Sequence, residues 1–156
     1  MSELLIHAPV VVGVDGSESS QHALRWGAFL ARTMGVGLRA VIAWEPLGHY
    51  SWGTAGWAAF PADWNPEQEA AGVLERAIDA VFAEQRPDAL TTSVHEGTAA
   101  RVLLAVGKDA SALVVGSRGH GGFAGLLLGS VSAACSEHAT CPVLVVHGQT
   151  LPPALP

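Results

Sequence analysis

Five short apolar runs alternate with stretches whose apolar residues recur every three or four positions, and this alternation restricts the chain more than any other feature. The first run, residues 10–14, is almost all valine and too short for a helix. It stops at Asp15-Gly16-Ser17, a turn sequence ending in a good helix cap. From Ser19 onward, Ala23, Leu24, Gly27, Ala28, Leu30, Ala31 and Met34 repeat with helical period, and Gly35 and Gly37 close the segment. Residues 38–44 then read as a second strand.

The second half follows the same rhythm. Asn65-Pro66-Glu67-Gln68 announces a helix: Asn caps, Pro suits the first helical position, and Gln68 can complete a capping box. Its buried stripe runs through Ala70, Leu74, Ala77, Ile78 and Val81, with Pro87 marking its end. Residues 90–94 form a third strand whose Thr and Ser content suits a sheet edge. A short helix opening at Gly97-Thr98, a strand at 112–115, a glycine-rich segment, a helix at 130–139 and a strand at 143–146 complete the series. Strands alternating with helices predict an α/β fold, a doubly wound parallel sheet in three layers with helices on both faces.

One domain over residues 1–148 accounts for a chain of 156 residues, with a proline-rich tail at 149–156 expected to be disordered. No internal repeat is visible. Residues 46–65 fit neither period and carry Tyr50, Trp52, Trp57, Phe60 and Trp64, an aromatic insert that is either a lid or a loop packed on itself. Charged residues make up only 14% of the chain, so it has core material to spare and is expected to bring apolar surface to a partner. The net charge of −6 with scattered basic residues argues against nucleic acid and anionic membranes as partners. No run approaches the ~18 apolar residues of a spanning helix, the first residues do not read as a signal peptide, and Cys135 and Cys141 have no metal spacing. The expected location is the cytoplasm.

Ligands of open α/β sheets sit at the carboxyl ends of the strands, where the strand order reverses. Two such ends carry unusual residues: Gly13-Val14-Asp15-Gly16-Ser17 after the first strand, and Gly116-Ser117-Arg118-Gly119 after the fourth. A carboxylate at Asp15 can accept hydrogen bonds from a ribose, although Asp-Gly also makes an ordinary turn. A glycine loop entering a helix presents free N–H groups to phosphate. A Walker loop is excluded because Lys108 is the only lysine, and the dinucleotide fingerprint GxGxxG is missing after the first strand. In its place stands Gly116-x2-Gly119-x9-Gly129-Ser130.

That spacing resembles the ATP-binding pattern G-x2-G-x9-G-[ST] of the universal stress protein family. The likeness runs from Val10-Val11-Val12-Gly13-Val14-Asp15 to Cys141-Pro142-Val143-Leu144-Val145-Val146. It implies strand order 3-2-1-4-5, and homodimers paired through the last strand. It also implies ATP as ligand, with Mg2+ carried on the phosphates rather than on protein ligands. Asp15 and the backbone of Gly13 and Val14 would then lie beside the adenosine, with the backbone near Ala43 at the adenine edge. Gly116, Ser117, Arg118 and Gly119 would wrap the ribose and phosphates, and Gly129, Ser130, Val131 and Ser132 would hold phosphate. Arg118 either pairs with a phosphate or extends into solvent. His120 has no titrating partner in sequence, and no acid–base pair or nucleophile triad is legible. The function expected is that of a nucleotide-dependent regulatory or stress-response protein with an unknown protein partner. A slow ATPase or nucleotidyl-transfer enzyme, or an interaction module with a vestigial site, are the alternatives.

Overall fold

The computed structural model describes residues 8–46, 61–119 and 128–154. The aromatic residues between 47 and 60, together with His120 and the glycines at 121, 122 and 125, lie outside them. In chain order the elements are β1 (Val10–Gly13), α1 (Glu18–Met34), β2 (Leu38–Trp44), α2 (Pro66–Phe82), β3 (Leu90–Glu96), α3 (Ala99–Val106) with a 3-10 turn at Gly107–Asp109, β4 (Ala112–Gly116), α4 (Ser130–His138) and β5 (Val143–Val146).

Local chemistry sets most of these boundaries. Ser17 caps α1, its Oγ accepting from Ser20 N at 3.2 Å, and Gly35 ends the helix in the left-handed region at φ 69°. Asn65 caps α2 by accepting from Glu67 N and Gln68 N, with Pro66 in the first turn. Thr98 caps α3.

The five strands are parallel and ordered β3-β2-β1-β4-β5. Along β1, Val10 and Val12 point to one face and Val11 to the other, and all three are buried. α1 and α2 cover the first face, where Leu24, Leu38, Leu74, Ile78 and Val114 complete the core. On the second face α3 and α4 enclose Val41, Leu103, Leu113, Val115 and Cys135. The Cys135 thiol is pushed up to about 11, first by burial and then by Cys141, and burial also raises Cys141. Both side chains pack on the second face of the sheet. No helix among the described residues is long and apolar enough to cross a membrane.

One helix end differs from the sequence expectation. α2 stops at Phe82, ahead of Pro87, because Ala83 takes φ 49° and the chain turns back. Arg86 then ties this return to the helix through Glu75 and Asp79. At the start of the tail, the Trp26 indole on α1 donates to Thr150 O at 2.8 Å and Gln149 donates to Glu18. These contacts fasten the first residues of the tail to α1 at the surface.

α1 lies close against the sheet at Gly27, where a Cβ would overlap Val12 Cγ2 and stand 3.2 Å from Leu38 Cδ1. At Gly72 on α2 a Cβ would meet only the flexible end of Arg76, at 3.1 Å. One substitution should therefore act with opposite sign at the two positions. Gly72→Ala gains helix propensity and should stabilise by up to ~1 kcal/mol. Gly27→Ala should destabilise by about 1–3 kcal/mol through overpacking against a stiff valine. Urea unfolding of both variants checks the pair; equal shifts would contradict this packing.

Candidate functional site

β1 lies between β2 and β4, so the order of connection reverses at the β1–β4 boundary. The two loops singled out by sequence leave the sheet on either side of it. After β1, Gly16 at φ 83° allows a tight turn, and Asp15 Oδ1 accepts from Ser17 N at 2.9 Å and from Ser17 Oγ. Asp15 N also donates to Ser20 Oγ at 3.3 Å. The turn role of Asp15 is thus real, and it leaves Oδ2 aimed at the other loop: a Cβ on Gly119 would fall on that oxygen. Only glycine lets the backbone after β4 come this close to the carboxylate.

The loop after β4 is held by its own framework. Ser117 N donates to Val146 O at 2.8 Å, which continues the β4–β5 ladder. Ser117 O accepts from Gly129 N at 2.7 Å and from Ser132 Oγ at 3.0 Å. Ser132 Oγ also reaches Gly129 O at 3.1 Å. One carbonyl thus fastens Ser117 to Gly129 and to the first turn of α4. Gly129 caps α4 without a side chain, and a Cβ there would sit 3.4 Å from Ser117 O. No side chain therefore competes for the first N–H groups of α4, and the positive end of the helix faces the space before it.

That space is a cavity of about 490 Å3. Of the residues selected from sequence, Gly13, Val14, Asp15, Ala43, Gly116, Arg118, Gly119, Gly129, Ser130, Val131 and Ser132 line it. Ser117 does not: it is buried and acts as the clasp just described. The cavity is divided by chemistry. Val41, Ala43, Leu103 and Val115 make an apolar end toward β2 and α3, while Asp15, Arg118, Ser20 and the start of α4 make a polar one. Asp15 and Arg118 are the charged side chains among its described lining. The apolar walls were not named from sequence, although Val41 was recoverable: it stands two residues before Ala43 and so shares its side of β2. Ala99 and Leu103, one helical turn apart on α3, required the fold to find.

A volume of this size falls in the range of small-molecule and cofactor sites, which are mostly apolar with a few converging polar groups. Among the described residues no three His, Cys, Asp or Glu side chains gather to hold a metal ion. A cation would instead need oxygens brought by the ligand, with Asp15 as the nearby carboxylate.

The family model described as the universal stress protein family matches residues 8–147. Universal stress protein Rv1996 of Mycobacterium tuberculosis is 38% identical over 144 residues, covering 90% of this chain and 44% of the relative. Universal stress protein Rv2623 of the same species is 37% identical over 141 residues, covering 90% and 45%. The chain therefore spans less than half the length of these curated relatives. Among solved structures, a universal stress protein in complex with cAMP aligns with a TM-score of 0.62 at 27% identity, covering 90% of this chain and 97% of the other. UspA from Lactobacillus plantarum shares the fold with a TM-score of 0.68 at 20% identity, covering 90% and 97%. So does the Archaeoglobus fulgidus protein in complex with dAMP, at 0.58 and 22%, covering 90% and 98%. Strand order, the two facing loops and the family match agree: the chain belongs to the universal stress protein family.

Proposed function

We propose that this protein binds ATP in the cavity between the β1 and β4 loops and acts as a nucleotide-dependent regulatory protein. The observation that carries the reading is the division of the cavity into an apolar end and a polar end. Adenine would lie against Val41, Ala43 and Leu103, with the ribose beside Asp15. The phosphates would meet Arg118, the glycine backbone and the open N–H groups of Ser130, Val131 and Ser132. Mg2+ would ride on the phosphates, since the described residues offer it too few ligands of their own. A relative holding cAMP favours a second reading, in which an adenine nucleotide with a single phosphate is the occupant. Mass spectrometry of the nucleotide retained by the purified protein separates the two: a triphosphate supports the first, a monophosphate the second.

Gly119→Val should weaken ATP at least tenfold by calorimetry, about 1.4 kcal/mol, because its side chain would push Asp15 and the loop apart. Unchanged affinity would sink the ATP assignment to this loop.

The protein is also proposed to form a homodimer through β5. Val143, Leu144 and Val145 are half-buried at the sheet edge, and no Lys or Pro within the strand guards it. Two identical edges would pair antiparallel about a twofold axis. Val145→Pro removes a ladder donor and should give monomers by light scattering, whereas a monomeric unaltered protein at micromolar concentration would contradict the dimer.

A further inference from the structure

β3 has two unlike sides. Leu90 and Val94 pack into the core under α2, whereas Thr91, Ser93 and His95 project from the opposite side of the sheet. On that side α3 packs over β1 and β2, leaving Ser93 and His95 half-buried and Thr91 exposed. Arg39 on β2 projects from the same side, since the register pairs Arg39 with Thr91, Val41 with Ser93 and Ala43 with His95. Val41 and Ala43 are walls of the cavity, so this polar row stands one strand beyond its apolar end.

The row is internally connected. Arg39 Nε donates to Ser93 Oγ at 3.2 Å, and His95 Nε2 lies 2.9 Å from the same oxygen. Ser93 is thus the neutral centre of a chain flanked by a guanidinium and an imidazole. Among the described residues Arg39 has no carboxylate at ion-pair distance, in a chain of net charge −6. Of the nearby acids, Glu96 falls on the other side of β3 by strand alternation, and Glu45, six residues along from Arg39 and just past β2, makes no ion pair with it. A half-buried guanidinium keeps several N–H donors beyond the one given to Ser93, in a planar fork suited to phosphate oxygens. An ordinary solvated strand face needs no such convergence of cationic and hydroxyl donors on one point.

We propose that Arg39, Ser93 and His95 form an anion subsite for a phosphate group at the β2–β3 edge, one strand beyond the apolar end of the cavity. The guanidinium supplies charge and paired donors, Ser93 adds a hydroxyl, and the imidazole fixes that hydroxyl's orientation. The phosphate is either free inorganic phosphate or a group carried by a nucleotide. The subsite does not depend on the ATP reading.

NMR of the His95 ring in the unaltered full chain tests it, with inorganic phosphate titrated at fixed pH and matched ionic strength, and ATP titrated separately. Saturable movement of the His95 signals with phosphate alone assigns a free anion. Saturable movement with ATP only assigns a phosphate borne on a nucleotide. Arg39→Gln should weaken either response at least tenfold, and Ser93→Ala should weaken it less. Amide shifts of Gly13 to Asp15 report cavity occupancy independently, so loss of ATP binding there leaves the phosphate arm intact. Unsaturated, linear drift of the His95 signals with both ligands would overturn the subsite. So would a saturable response that survives in Arg39→Gln.

Discussion

Complete enclosure of β1 is the constraint on which the rest depends. Val10, Val11 and Val12 have no more than 1% of their surface exposed, because strands flank them on both edges and helices cover both faces. A parallel strand buried on all sides obliges the chain to cross over helices above and below the sheet. Those crossings diverge at β1, and the divergence leaves a cleft between the β1 and β4 loops that no helix fills. The same burial that stabilises the core thus creates the space for a ligand.

Within that cleft, backbone groups do most of the positioning. The Ser117 carbonyl joins two points of the chain 12 and 15 residues further on, through Gly129 N and Ser132 Oγ. The glycine at 119 admits the Asp15 carboxylate, and the glycine at 129 lets α4 begin without a side-chain cap. Side chains then add sign and polarity: the Asp15 carboxylate, the Arg118 guanidinium and a set of apolar walls. A site made this way tolerates wide sequence change wherever the backbone path is kept.

Much of this was legible in the sequence because its signals are local. Strand positions, the Ser17 and Asn65 caps and the Gly35 terminator each depend on a few neighbouring residues, and the structure has them where those residues predict, with β3 running two residues further than expected, to Glu96. Strand order 3-2-1-4-5 was not readable from periodicity; it followed from the family resemblance, and the sheet shows it. What escaped is long-range. Ser117 resembled a ligand contact by its place in the motif, yet its buried carbonyl serves partners far along the chain. Pro87 sets only an outer limit for α2, and nothing in the composition of 83–86 marks Ala83 as the point of reversal. The apolar walls at Leu103 and Val115 come from different elements and converge only after folding.

In the proposed function the β1 and β4 loops act as the two halves of one nucleotide site. Backbone amide shifts followed through an ATP titration test it most directly. Gly13 to Asp15 and Ser130 to Ser132 should move together, saturating at the same ATP concentration, while amides remote from both loops, such as Phe82 at the end of α2, stay still. Movement of one loop without the other, or saturation at different concentrations, would contradict a single site shared between them.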